Sequence, residues 1–231
     1  MNSSQSERDL ILRASAIHRG FDTPKGRIRV LQGVDLELIR GEMVAVLGAS
    51  GVGKTTLLHI LGGLDRPDQG EIRFNDRSYT GMSETDLALF RNRHVGFVFQ
   101  FHYLLAEFSA LENVMMPLLI AGQLASEAQE RAELLLTEVG LKERMGHRPA
   151  ELSGGEQQRV AVARALAMEP ELILADEPSG NLDVETGHDL HTLLVELNRT
   201  KRTTFLIATH NQRLAEMTHR VVRLREGKNE W

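Results

Sequence analysis

Gly48-Ala49-Ser50-Gly51-Val52-Gly53-Lys54-Thr55 follows a short, wholly apolar run, Met43–Leu47, and is followed by Thr56 and the apolar-rich residues 57–61. Glycines at 48, 51 and 53 let successive backbone N–H groups turn inward, and a helix opening at Lys54 adds the positive end of its dipole. Both favour an anion such as phosphate. In this strand–loop–helix setting the pattern is that of a nucleotide phosphate loop, with Lys54 reaching the β- and γ-phosphates and the Thr55 hydroxyl ligating Mg²⁺. The competing reading is an ordinary glycine-rich turn. Only five of the 27 basic residues are lysines, which makes a chance lysine at this point of the pattern rare.

Leu172-Ile173-Leu174-Ala175-Asp176-Glu177 is a second apolar run, ending in two acids. Beside a phosphate loop, Asp176 suits the hydration shell of Mg²⁺, and Glu177 suits a water that must be oriented or deprotonated. Alone, such acids could merely cap the next turn. A third segment, Leu152-Ser153-Gly154-Gly155-Glu156-Gln157, has the capping-box spacing of a helix start, with Val160, Ala163 and Ala167 as its packed face. Two glycines in a first helical turn are unfavourable unless the backbone must approach something closely. The bare N–H groups there form a second phosphate site. One chain thus carries two cradles and one nucleotide loop, a surplus that two copies placed head to tail would explain.

These residues require a scaffold. Apolar runs at Met43–Leu47, 95–99, 172–175 and 204–208 are continuous and short, as in strands buried on both faces, and three lead toward helical patterns. That predicts a mainly parallel α/β sheet whose ligands lie beyond the carboxyl ends of its strands. Alternation at Val34, Leu36 and Leu38 predicts a half-exposed antiparallel strand, paired with one near residues 10–17. Leu111, Val114, Met115, Leu118 and Leu119 have helical spacing opened by Ser109-x-x-Glu112, with Pro117 expected to kink the helix or shift its start. Ala128, Ala132, Leu135, Leu136 and Val139 form another stripe, ending at Gly140. With no buried-strand run between residues 100 and 167, that stretch reads as a helical subdomain inserted into an α/β core of residues 10–99 and 168–231. Residues 1–9 read as a disordered tail.

Composition narrows the function. The formal charge of −5 argues against a partner bound by phosphate neutralisation, so no nucleic acid is expected. Without cysteine there is no disulfide, thiolate nucleophile or Cys zinc site. No stretch approaches the ~20 apolar residues of a membrane span; residues 57–64 and 115–121 are too short. Any membrane role therefore falls to a partner.

The phosphate loop, Gln100 after a buried strand, Leu152 to Gln157, Asp176-Glu177, Leu182-Asp183 and His210 stand in the order and spacing of the nucleotide-binding subunit of ATP-binding cassette (ABC) transporters. The chain resembles that family over residues 10–227. The resemblance implies a homodimeric ATPase that uses ATP and Mg²⁺ and works with integral-membrane permease subunits at the cytoplasmic face of the inner membrane. It implies that Gln100 senses Mg²⁺ and the permease, that His210 contacts the γ-phosphate, and that Asp183 exchanges contacts across the dimer. Ser153, Gly154, Gly155 and Glu156 would close over the partner's nucleotide. Glu156 stands where the family consensus has Gln. Phe21 occupies the approximate place of the aromatic that stacks on adenine, usually Tyr; packing is its alternative. Without the family, Gln100 and Asp183 would read as surface residues and His210 as a cap or a neutral hydrogen-bonded histidine. Residues 61–67, 147–149 and 178–183 resemble a bacterial subgroup of lipoprotein-releasing ATPases, macrolide-exporter domains and the cell-division cassette. Residues 99–105 and 110–118 look most like the lipoprotein-releasing type. The alternatives are an exporter or cell-division subunit, an ATPase engaging DNA or ribosomes, and a nucleotide switch with little turnover.

Overall fold

The computed structural model describes residues 9–24, 26–79 and 81–230, so the expected tail lies outside the described residues except for Asp9. Two long strands, β1 (Leu10–Thr23) and β2 (Gly26–Ile39), pair antiparallel with Ile17 opposite Val34, Ala14 opposite Leu36 and Leu12 opposite Leu38. All six side chains are buried, which is the physical content of the alternation. β3 (Met43–Leu47) then passes into a second sheet and runs through the glycine loop into α1 (Lys54–Leu61). β4 (Gln69–Phe74) and β5 (Arg77–Ser78) return to the first sheet, whose order is β2-β1-β4-β5. α2 (Glu84–His94) leads into β6 (Val95–Val98), and three helices follow: α3 (Ala110–Ile120), α4 (Ala125–Glu138) and α5 (Gly154–Leu166). β7 (Leu172–Asp176), α6 (Val184–Lys201), β8 (Thr204–Thr209) and α7 (Gln212–Glu216) come next. A hairpin of β9 (Arg220–Arg225) and β10 (Lys228–Glu230) ends the described chain.

The second sheet has the order β10-β9-β3-β8-β7-β6, parallel except for β10. It separates two cores, and its strands send alternate residues to each. Ile173, Ala175, Phe205 and Ile207 join the core beneath α3, α4 and α5. Leu172, Leu174, Leu206 and Ala208 join the one shared with α1 and the antiparallel sheet. Apolar runs without alternation are the consequence of burial on both faces.

Between β6 and β7 the described residues form helices and no strand. Ser109 caps α3 by accepting from the Glu112 N–H (3.2 Å), and the Glu112 carboxylate accepts from the Ser109 N–H (2.7 Å). The start is therefore set by the cap, and the helix continues past Pro117 to Ile120. Val114 and Leu118 are buried, whereas Leu119 is exposed, so the apolar stripe is narrower than its spacing suggests. Met115 and Met116 are half-buried, Met115 against the core. In α4 the predicted stripe is buried throughout, and Gly140, at φ 78°, lets Leu141 N–H bond back to the Leu136 carbonyl. Each fully buried Leu or Val contributes about 1.5–3 kcal/mol, which holds the helices on the sheet.

Candidate active site

Register brings the chemistry together. Leu47 lies opposite Thr209, and Asp176 opposite Ala208, so adjacent strands β3, β8 and β7 end at one level. Gly48, His210 and Glu177 therefore emerge side by side. Gly51 and Gly53 adopt φ of 78° and 109°, which favour glycine. A Cβ on Gly48 would stand 2.6 Å from the Leu224 carbonyl oxygen, and one on Gly53 2.9 Å from Leu31. Lys54 is 6% exposed; its ammonium donates to the carbonyls of Gly48 (2.8 Å) and Ala49 (3.2 Å) and pairs with Glu177 Oε1 at 3.2 Å.

Glu177 has a donor on every side. Its Oε2 accepts from Thr209 Oγ1 and the His210 N–H, each at 3.2 Å, and lies 3.0 Å from His210 Nδ1. Its backbone is left-handed, φ 44°, held by its N–H to the Ala208 carbonyl (2.8 Å) and by Gly180 N–H to its own carbonyl (2.9 Å). A non-glycine residue persists there only when its surroundings over-determine it, as they do here.

Asp176 tests whether the site fits Mg²⁺. Burial, first among the influences on it, pushes its carboxyl up, while a hydrogen bond with Thr55 opposes. Its Oδ1 is buried without a hydrogen-bond partner, and Thr55, an exposed residue, brings its hydroxyl to the same carboxyl. An orphaned carboxylate oxygen next to a hydroxyl suits a hard cation. No group of three or more His, Asp or Glu among the described residues could hold a metal by itself. Mg²⁺ takes one or two protein oxygens and completes its shell with phosphate and water.

The remaining predicted residues lie apart from this cluster. Ser153 caps α5, accepting from the Glu156 N–H (3.2 Å). Glu156 accepts from the Ser153 N–H (2.8 Å) and from Arg144 (3.0 Å), which together hold its carboxyl below the usual range. A Cβ on Gly155 would lie 2.4 Å from the Thr186 methyl, so this glycine is demanded by packing within the chain; Gly154 meets only an ordinary contact. Asp183 caps α6, accepting from the N–H groups of Thr186 and Glu185; hydrogen bonds from Thr186, side chain first, keep its carboxyl low. Gln100 bonds to Asn181 rather than to Thr55 or Asp176, its amide donating to Asn181 Oδ1 (3.0 Å) while Asn181 donates to the Gln100 carbonyl (3.1 Å). Phe21 pairs across β1–β2 with Ile28, and Val30, two residues further along β2, lies against Gly53. Phe21 thus stands about 7 Å along the strand from the phosphate loop.

Sequence reasoning missed Thr209 and Asn181. Thr209 is 1% exposed and also accepts from the Asn211 N–H (2.9 Å), so one hydroxyl aligns Glu177 and the turn carrying His210. Its signal was available: it is the last residue of an apolar strand, next to His210. Asn181 carried none, because its partner is 81 residues away.

Fold and site together define a phosphate-loop nucleoside triphosphatase. The profile described as ABC transporter matches residues 31–180, and the chain belongs to that family. It is 57% identical over 212 residues to the lipoprotein-releasing system ATP-binding protein LolD of Syntrophus aciditrophicus, across 92% of this chain and 95% of that one. The protein of the same name in Porphyromonas gingivalis is 52% identical, across 94% and 98%. A solved dimeric cassette in a post-hydrolysis state, bound to ADP and phosphate, matches with a TM-score of 0.88 and 35% identity over 95% of this chain and 97% of that one. The chain is accordingly an ATPase that takes ATP and Mg²⁺.

Proposed function

We propose that this chain is the ATP-hydrolysing subunit of a lipoprotein-releasing ABC transporter, acting at the cytoplasmic face of the inner membrane through separate permease subunits. The observation that carries the reading is the 57% identity with a relative of that name over nearly the whole of both chains. No helix among the described residues is long and apolar enough to cross a membrane, and the reading gives that task to partners. Phe101, Tyr103, Ile120 and Leu124, on and around α3, are 62, 67, 66 and 65% exposed, an apolar surface suited to a permease segment.

In this reading two chains meet head to tail. Each nucleotide lies between the loop from Gly48 to Thr56 of one chain and the α5 start, Ser153 to Glu156, of the other. Phe21 stacks on the adenine. Lys54 exchanges its carbonyl and Glu177 contacts for phosphate oxygens, and Glu177 accepts a proton from water while Thr209 and His210 hold its far oxygen. Thr55, Asp176 and Gln100 would hold Mg²⁺, which supplies charge neutralisation on the phosphates. Residues 10–99 and 168–231 act as the core, and residues 100–167 as the helical subdomain that passes closure to the permease. Gln100, paired with Asn181 in the loop between β7 and α6, links the two, and Asp183 exchanges contacts across the dimer.

The test is ATP-dependent release of a radiolabelled lipoprotein from inner-membrane vesicles holding the chain with its co-purified membrane partners. Release that stops with Glu177→Gln supports the reading. ATP hydrolysis stimulated by the partners, with export of a macrolide or peptide and no lipoprotein release, would overturn it.

A further inference from the structure

Arg19 lies on β1 two residues before Phe21, with its guanidinium carbon 4.8 Å from the centre of the Phe21 ring. Two aspartates grip it: Nη2 donates to Asp65 (2.9 Å) and Nη1 to Asp68 (3.0 Å), while Nε is buried with no acceptor. Asp68 is itself tied to β1, its other oxygen accepting from the Gly20 N–H (2.9 Å) and from Arg27. Asp65 belongs to the end of α1, since the N–H groups of Leu64 and Asp65 both bond to the His59 carbonyl (2.7 and 3.2 Å). The helix that begins at the phosphate loop is therefore joined, through Asp65 and Arg19, to the Phe21 ring. Phe21 is 42% exposed although Arg19 lies over one face of its ring.

We propose that Arg19 is a positioning residue for the nucleotide base: clamped by Asp65 and Asp68, it backs one face of Phe21, so that the other face is a pre-set platform for adenine at a fixed distance from the phosphate loop. The proposal rests on the reading that Phe21 stacks on the base. Its physical basis is preorganisation. A ring already held by a cation loses less rotamer freedom when a base lands on it, and the grip on the cation comes from the element that carries the phosphates. Arg19 acts through Phe21 and touches no reacting atom. Lysine could not replace it, because one ammonium cannot serve both aspartates and lie flat on the ring.

The experiment measures equilibrium affinity of the full chain for ATP and for inorganic tripolyphosphate, which lacks the base, in wild type, Arg19→Met, Arg19→Lys, Phe21→Ala and the Arg19→Met/Phe21→Ala double variant. Both Arg19 variants should weaken ATP binding about two- to fivefold, the scale of an exposed cation–π contact, with tripolyphosphate binding unchanged. Phe21→Ala should weaken ATP at least as much, and the double variant no further. Multiplying losses in the double variant, an unchanged ATP affinity in the Arg19 variants, or an equal loss for tripolyphosphate would each overturn the proposal. If Phe21→Ala itself leaves ATP affinity unchanged, the stacking reading fails and the role of Arg19 with it. A loss on Phe21→Ala without one on Arg19→Met condemns the Arg19 role alone.

Discussion

Replacing Glu177 by Gln should separate catalysis from binding, because the two oxygens of this carboxylate have different partners. Oε2 is served by Thr209 Oγ1, the His210 N–H and His210 Nδ1, and Oε1 by Lys54. Glutamine offers one acceptor. Its carbonyl should keep the Thr209 and His210 side, where two donors wait, and its NH₂ should face Lys54. Lys54 retains the Gly48 and Ala49 carbonyls, at 2.8 and 3.2 Å, and loses its anionic competitor for phosphate. ATP affinity should therefore hold or rise. Chemistry should suffer the loss of a general base, about 10²–10⁴-fold, or roughly 3–5.5 kcal/mol of barrier. Single-turnover phosphate release at saturating MgATP, alongside equilibrium ATP binding, reads both quantities. An ATP-dependent dimer that persists in size-exclusion chromatography should accompany the slow turnover. Phosphate release within threefold of wild type would refute Glu177 as the base, and a parallel loss of ATP binding would show that the residue merely holds the site together.

Further predictions follow from other contacts. Lys54→Ala should weaken ATP binding by about a hundredfold, the scale of two charge-assisted bonds to phosphate, and near-normal affinity in a nucleotide titration would contradict the cradle. Asn113 is fully buried, accepts from the Leu105 N–H and donates to the Leu105, Phe108 and Ser109 carbonyls. Asn113→Ala should destabilise the chain by about 2–3 kcal/mol in urea, and a loss under about 1 kcal/mol would mean that water replaces those bonds. For Glu171, burial pushes the carboxyl up, but hydrogen bonds from Asn75, Arg40 and His94 outweigh it and lower the value below the ordinary 4.5. A folded value below the unfolded one stabilises above about pH 4.5, and that stabilisation is lost as pH falls through the depressed value. The stability gap between wild type and Glu171→Gln should thus be open at pH 6 and close on acidification; a widening gap is the contrary result.

Legibility followed the range of the interactions. The central strands, the phosphate loop and the caps of α3 and α5 were readable because their causes are local: apolar runs, glycines, and Ser followed three residues later by Glu. β4 and β9 were not anticipated. β9, Arg-Val-Val-Arg-Leu-Arg, buries only Val222 and Leu224, too short an alternation to stand out from a helix face. Leu119 was placed in a buried stripe and is exposed, since the width of a helix's covered face depends on what packs against it.

The sequence by itself determined what chemistry could occur. Residue types at set spacings specify a phosphate loop, two adjacent acids at a strand end, and a capped helix start, and such local patterns suffice because backbone N–H direction and helix capping extend over a few residues. Only the tertiary structure decided which of these meet in one chain. The register of β3, β8 and β7 brings Lys54, Glu177, Thr209 and His210 into contact. The α5 start stands instead on α6, with no hydrogen bond or ion pair to the phosphate loop among the described residues. Thr209, Asn181 and Arg19 acquired roles from partners 32, 81 and 46 residues away, distances at which no sequence periodicity carries information.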